Sequence, residues 1–343
     1  MKIQDFNYFL NKKLIANQPQ KPRDTSRLMV FDTNKNQTTH TNFLNIIKYF
    51  NKNDLIILNN SKVFPARIFG RKKTGGKIEI LLLEKKEKIW KCLIKGKIAE
   101  KEKIYFNYGF AQIIKKKEKV AFIKFSQNDQ KIIQKYGQTP IPPYIKKVLP
   151  EKDLRQKYQT IFANKIGSAA APTAGLHFTN QLLEKIRAKG IKIAFVTLHV
   201  GLGTFLPITN KNFKNNKLHQ EKFEIPFCTI KEIIKAKKNN KKIFVVGTTT
   251  LRALESVGNR LLDQNKKIVD KTNLFIQPGF QFQIADGLIT NFHLPKSSLI
   301  ILVAAFLRYK KVKKSSKKIL DLYKLAQKEN YRFYSFGDAM LIY

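Results

Sequence analysis

Histidine is scarce in this chain, and its placement is where proton chemistry can be sought. Five occur among 343 residues: His40, His177, His199, His219 and His293. Four of them stand in unusual surroundings. His177 follows Ala-Pro-Thr-Ala-Gly-Leu, His199 opens His-Val-Gly-Leu-Gly-Thr, His219 precedes Glu221 by two residues, and His293 lies in Thr-Asn-Phe-His-Leu-Pro-Lys. An imidazole titrates near neutrality and so suits a general acid or base. Any one of them would also serve as a capping or core histidine; four together at strand ends and turns point to a site. His219 and Glu221 share one face of a strand at their spacing. A metal could use that pair, but no third ligand is indicated, so no metal is expected.

Glycine and threonine mark two further positions. Gly201-Leu-Gly203 resembles half of a dinucleotide fingerprint, but position 206 is Leu, so the full Gly-x-Gly-x-x-Gly is absent. Gly247 precedes three threonines without the Gly-Lys of a phosphate-binding P-loop. Such a turn between strand and helix still places N–H groups and hydroxyls at a helix N-terminus, suited to a carboxylate or phosphate. Arg252 and Glu255 fall on the first turns of that helix, where an i,i+3 surface pair would have the same spacing. Among only 24 acids, Asp24 lies between Arg23 and Arg27, and Asp338 follows Gly337.

The elements that must position these groups read in two rhythms. Residues 27–32 and 54–58 are strand-like. From 63 to 125 short runs rich in Ile, Val and aromatics alternate with Gly and Asn turns, which predicts a small barrel or sandwich. Thr-Pro-Ile-Pro-Pro-Tyr at 139–144 reads as an extended linker. After Gly167 strands alternate with helices. Thr179 or Asn180 caps a helix to Lys189, strands follow at 191–200 and 241–246, a helix starts near Leu251, and Ser297 caps another. The expectation is a mixed α/β fold: a large α/β domain, residues 1–61 and 151–343, with an inserted, smaller β-barrel-like domain, residues 62–150. In α/β sheets strand ends share one rim where ligands bind. His177, His199, His293 and Glu221 are therefore expected to converge on one pocket with the turns at 201–205 and 247–252.

Composition excludes several classes. With 43% hydrophobic and 26% charged residues the chain can bury a core and is not a disordered tail. Two cysteines, Cys92 and Cys228, make no disulfide framework or zinc site and fit a reducing, cytoplasmic setting. The longest apolar run, 299–307, is too short to span a bilayer, and the N-terminus lacks a secretory pattern. The net charge of +42 invites a polyanionic partner such as nucleic acid. Only ten of the 66 basic residues are Arg, so the lysine excess reads equally as drift that decorates every surface.

Taken in order, the motifs resemble one family, the S-adenosylmethionine:tRNA ribosyltransferase-isomerases of queuosine biosynthesis. They are Arg-Asp-Thr-Ser-Arg-Leu at 23–28, Asn-Asn-Ser-Lys-Val-Phe-Pro-Ala-Arg at 59–67, Ala-Ala-Pro-Thr-Ala-Gly-Leu-His-Phe-Thr at 170–179 and Thr-Leu-His-Val-Gly-Leu-Gly-Thr-Phe at 197–205. They continue with Val-Gly-Thr-Thr-Thr-Leu-Arg-Ala-Leu-Glu-Ser at 246–256, Leu-Ile-Thr-Asn-Phe-His-Leu-Pro-Lys-Ser at 288–297 and Tyr-Arg-Phe-Tyr-Ser-Phe-Gly-Asp-Ala-Met-Leu-Ile at 331–342. The chain departs from the pattern at Asn7 and Asn11, and at Asn216, where the family has a histidine ahead of His219 and Glu221.

The resemblance implies a cytoplasmic transferase. It moves and isomerises the ribosyl part of S-adenosylmethionine onto a 7-aminomethyl-7-deazaguanine (preQ1) at the tRNA wobble position, giving epoxyqueuosine-tRNA, adenine and methionine. It implies two substrates, S-adenosylmethionine and the anticodon loop of a tRNA carrying preQ1, with no membrane and no obligatory protein partner. S-adenosylmethionine is consumed, so no cofactor is expected. The catalytic candidates are His177, His199, His219, Glu221 and His293. The substrate-binding candidates are Arg23, Asp24, Arg27, Thr173, Gly201, Gly203, Thr204, Thr248, Thr249, Arg252, Glu255 and Asp338. A methyltransferase would need a Gly-x-Gly turn followed by an acid, which cannot be placed here. A ribosome-associated RNA-binding protein would account for the charge but not for four histidines in Gly/Thr/Pro turns.

Overall fold

The computed structural model describes residues 2–145, 149–201 and 208–343. The chain opens with β1 (Arg27–Asp32), β2 (Gln37–Asn42), β3 (Leu55–Asn59) and β4 (Ser61–Val63). It then enters a run of short strands: β5 (Arg67–Arg71), β6 (Lys77–Lys86), β7 (Ile89–Lys95), β8 (Lys103–Tyr105), β9 (Phe110–Lys117) and β10 (Val120–Phe125). Helix α1 (Asp129–Tyr136), strand β11 (Gly137–Gln138), helix α2 (Glu151–Lys157) and strand β12 (Lys165–Ser168) lead back out. The βα rhythm follows: α3 (Asn180–Ala188), β13 (Lys192–Leu198), α4 (Asn210–Asn215), β14 (Lys217–Ile225), α5 (Phe227–Lys238), β15 (Ile243–Val246), α6 (Thr248–Val257) and β16 (Ile268–Leu274). The chain ends with β17 (Gly287–Asn291), α7 (Ser298–Tyr309), α8 (Ser315–Lys328) and β18 (Ala339–Ile342).

Nine strands form one sheet in the order β16-β14-β13-β3-β15-β17-β18-β1-β2. Its centre, β13-β3-β15-β17, is parallel, and β14, β18 and β1 run against it. Parallel strands need covering on both faces, and the sequence supplies it. One face takes the apolar stripes of α5, α6, α7 and α8. The other takes α3 and Phe43, Ile46 and Phe50 from the segment after β2. Side-chain alternation decides which face each residue serves. On β13, Ala194, Val196 and Leu198, with Val200 beyond, enter the first core, while Ile193 and Phe195 pack on the second.

The short strands make a separate sheet, β11-β5-β6-β7-β10-β9-β8, and a β5–β8 pairing joins its ends into a closed six-stranded ring. Alternating apolar residues fill it, including Ile68, Ile80, Cys92, Ile113 and Ile123. Cys92 and Cys228 are both free thiols. The fold is thus mixed α/β with a barrel-like insertion, as the alternating patterns indicated. Glu84 of the barrel meets Lys222 of β14 at 2.6 Å and Lys271 of β16 at 3.5 Å.

Capping follows residue type. Thr179 accepts the N–H of Leu182 and Ser297 that of Ile300, so both helices start where a hydroxyl can satisfy a free donor. Helix α6 starts at Thr248, three residues before the expected Leu251. Its N-cap Gly247 sits at φ +88 and offers no side chain. The 139–144 segment is no free linker, because Ile141 and Ile145 are buried with Tyr158 and Phe336. Among the described residues no helix is long and apolar enough to cross a membrane.

Candidate active site

Where β15 and β17 end and the chain passes β13, the large sheet opens a cleft of about 350 Å³. Parallel strands deliver their loops to one edge, so residues far apart in sequence meet there. After β15 come Gly247, Thr248 and Thr249 at the start of α6, with Arg252 one turn further. After β17 come Phe292 and His293. Strand β14 brings His219 and Glu221, and the turn at 170–174 brings Thr173. Tyr144, Tyr158 and Tyr334 add aromatic walls. Tyr334 is held at φ +71, a left-handed conformation rare for a bulky residue. Its N–H bonds Phe292 O at 3.1 Å, and its ring lies 4.7 Å from that of Tyr144.

The charged centre of the cleft is a buried ion pair. Arg252 Nη1 donates to Glu221 Oε2, with the two side chains only 7% and 2% exposed. Glu221 Oε1 accepts the Gly201 N–H at 2.9 Å, and Arg252 Nε donates to Leu274 O at 3.0 Å. The third guanidinium nitrogen, Nη2, is buried and has no partner among the described residues. A pair this deep persists because both carboxylate oxygens and two of the three guanidinium nitrogens are bonded.

His293 is fixed by its backbone. Its N–H donates to Tyr323 Oη at 3.0 Å, and its carbonyl accepts the Tyr8 hydroxyl. Nε2 meets Thr290 Oγ1 at 2.7 Å, and no hydrogen bond involves Nδ1 among the described residues. Burial pushes its pKa down to about 3, so the ring is neutral at pH 7. His219 is exposed at the edge of the cleft.

The expected convergence of the histidines needs correction for two of them. His177 lies in a buried 3₁₀ turn and does not line the cleft. Its ring stacks on Phe43 at 4.9 Å. Nδ1 meets Ser26 Oγ at 2.7 Å, and Nε2 meets Asn291 Nδ2 at 3.1 Å. Asn291 gives its other N–H to Asp338 O and takes the Thr173 hydroxyl on Oδ1, at 3.3 and 2.9 Å. Both Asn291 donors are therefore used, so His177 Nε2 accepts and Nδ1 carries the proton. Burial, then the Arg332 and Arg23 charges, push this imidazole down to about 3. His199 misses the cleft by strand parity, one residue before Val200, which does line it. Its ring rests against Gly167, where a Cβ would stand 2.9 Å from it, and its Nδ1 is buried without a partner. Burial and Lys222 lower its pKa.

Five expected substrate contacts also lie off the cleft and hold the scaffold. Arg23 donates to the carbonyls of Gln159, Gln156 and Lys157 at the end of α2, where a cation suits the helix dipole. Asp24 accepts the hydroxyl of the α3 cap Thr179 at 2.6 Å. Arg27 stacks 4.0 Å over Tyr331 and bonds Glu329 O. Glu255 accepts three consecutive N–H groups, from Gln283, Ile284 and Ala285, at 2.8 to 3.1 Å. Asp338 accepts the N–H of Arg27 and both the N–H and the guanidinium of Arg332. Gly203, Thr204 and most of the 201–205 turn lie outside the described residues. The sequence reading missed the tyrosine walls. Pro-Pro-Tyr at 142–144 looked like a linker, and no spacing rule marks Tyr158 or Tyr334 as neighbours.

Comparison with known proteins adds to this geometry. The chain matches the model of a family described as "Queuosine biosynthesis protein" over residues 3–342. It is 42% identical, over the full length of both chains, to the S-adenosylmethionine:tRNA ribosyltransferase-isomerase of Thermotoga maritima. It is 46% identical, again over both full lengths, to the protein of that name from a Sulfurihydrogenibium species. It also resembles the 2.00 Å crystal structure of S-adenosylmethionine tRNA ribosyltransferase from Thermotoga maritima, with TM-score 0.57 and 35% identity over 99% of this chain and 100% of that one.

Proposed function

The chain belongs to the queuosine biosynthesis family of S-adenosylmethionine:tRNA ribosyltransferase-isomerases, and from that premise we propose that the cleft at the ends of β15 and β17 is its reaction site. The protein is a transferase of tRNA modification. It transfers and isomerises the ribosyl moiety of S-adenosylmethionine onto 7-aminomethyl-7-deazaguanine in tRNA, giving epoxyqueuosine-tRNA, adenine and methionine.

The observation that carries the site assignment is one cleft of about 350 Å³ joining His293, His219 and the Glu221–Arg252 pair to aromatic walls. That is the size and lining of a small-molecule pocket, apolar with a few polar groups. The chemistry asks for three proton movements. A base removes a proton from the carbon beside the sulfonium, an acid protonates the departing adenine, and the acceptor ammonium loses a proton before attacking. Methionine leaves as a neutral thioether. His293 enters neutral, so it takes up a proton before it can give one. His219 stands exposed at the mouth. Glu221, bonded to Arg252 and to the Gly201 N–H, holds that guanidinium in place in the cleft. Aromatic rings suit adenine and the flipped-out wobble base. We assign the anticodon loop as the part of the tRNA recognised, Lys and Arg contacts to phosphate as the source of affinity, and the cytoplasm as the setting. S-adenosylmethionine is consumed, and the reading calls for no resident cofactor.

The test is adenine release from S-adenosylmethionine in the presence of precursor tRNA. His293→Ala and Glu221→Gln should each lower turnover by about 100-fold or more. Full turnover in both variants would move the site elsewhere, and formation of S-adenosylhomocysteine would show a methyltransferase instead.

A further inference from the structure

Among the described residues Arg252 holds the one cleft-lining guanidinium, and two of its three nitrogens are committed. Nη1 is paired with Glu221 and Nε with Leu274 O, while Nη2 is buried without an acceptor among those residues. A buried guanidinium nitrogen left unbonded is costly, so such a group calls for an explanation. Glu221 cannot supply more, because its other oxygen accepts the Gly201 N–H. The same helix provides a second observation. Its cap Gly247 makes no side-chain bond, and Gly247, Thr248 and Thr249 all line the cleft. The first N–H groups of a ten-residue helix thus open onto the space beside Arg252, with the positive end of the helix dipole.

Resting on the reading above, we infer that Arg252 Nη2 and the N-terminus of α6 together seat the α-carboxylate of the methionyl half of S-adenosylmethionine. The chemistry recognised is an anionic oxygen group, for which a free guanidinium edge and uncapped helix N–H groups are both suited. The carboxylate is favoured over a tRNA phosphate because the donors line a cleft of small-molecule size. Arg252 contributes binding and orientation and moves no proton.

The experiment compares S-adenosylmethionine with its decarboxylated analogue, which keeps the sulfonium and the ammonium and lacks only the carboxylate. Adenine release with precursor tRNA is measured for the native protein and for Arg252→Lys, which keeps the charge near Glu221 but has no Nη2. The native protein should favour the full substrate by about 100-fold in kcat/KM. Arg252→Lys should lose at least tenfold of that preference. An equal loss for both sulfonium compounds overturns the assignment, as does a rise in the tRNA KM alone, which would mark a phosphate seat. Should Arg252→Lys not fold, the doubly neutral Glu221→Gln/Arg252→Gln variant is titrated with both compounds, and it should bind them with similar affinity; a retained preference overturns the proposal. Native protein that releases no adenine from S-adenosylmethionine would instead overturn the ribosyltransferase reading.

Discussion

Two buried polar clusters lie on either side of Asn291, and they are finished to different degrees. In the cluster around His177 both ring nitrogens are bonded, Asn291 makes three bonds, and Asp338 gathers Arg27 and Arg332. Glu255, elsewhere in the same lobe, is equally complete with three backbone donors. In the cleft, among the described residues, Arg252 Nη2 has no partner and His293 Nδ1 makes no bond. In these two clusters the groups whose partners are all internal fix shape, whereas those left short of partners belong to residues that line the cleft. Residue type does not separate the two sets, since both contain histidine, a carboxylate and arginine. Satisfaction does.

The contrast can be broken where its effects are largest. Glu255→Ala removes the acceptor of three buried N–H groups and should destabilise the fold by about 3–5 kcal/mol, read by chemical denaturation. Protein that remains folded should keep adenine release within about threefold of native. Lost turnover at unchanged stability would transfer Glu255 to the working cluster.

A second effect is graded by pH. His177 and His293 titrate near 6.5 when unfolded and are pushed down to about 3 when folded. The unfolded chain then binds more protons between those values, so stability falls as pH drops from about 6.5 toward 3 and is fully present above 6.5. Each ring contributes a slope of about 1.4 kcal/mol per pH unit in that window. His177→Gln should remove one ring's share of the slope. An unchanged acid limb would mean that His177 is already solvated or charged in the native state.

The smallest effect sharpens the scaffold side. Thr179→Ala loses both the α3 cap and the hydroxyl held by Asp24, and it should cost about 1–2 kcal/mol. A matching Asp24→Ala/Thr179→Ala pair should be non-additive, because each mutation removes the same bond. Full additivity would show that Asp24 acts through another partner.

Much of this architecture could be read from residue patterns. Ser297 and Thr179 announced their helices because a hydroxyl before an apolar stripe has one economical use. The change from short β runs to strand–helix alternation after Gly167 separated barrel from large sheet. Arg252 and His293 were legible as cleft residues because Gly, Thr and Pro marked the turns that carry them, and Glu221 because it stands two residues from His219. Other features were not legible, for identifiable reasons. The side on which His199 projects depends on the register of β13 against its neighbours, and a single strand does not encode that. An acid beside glycine looks the same whether it clasps a loop, as Asp338 does, or meets a ligand. The aromatic walls come from segments whose proximity is created by the insertion folding back, and no local spacing records it.

Strand β14 has a further consequence. Successive residues serve opposite faces: Glu221 pairs with Arg252 in the cleft, and Lys222 pairs with Glu84 of the barrel. A slip of one residue in one direction would set Lys222 against Arg252, and a slip in the other would set Glu221 against Glu84, so either slip places like charge against like on one face. The alignment of this strand is therefore policed from two sides by charge sign, beyond what apolar alternation enforces. The irregularity between Lys217 and Glu221 lies just ahead of that checkpoint. Changes of length in the chain before it can be taken up there, leaving the working carboxylate where it is.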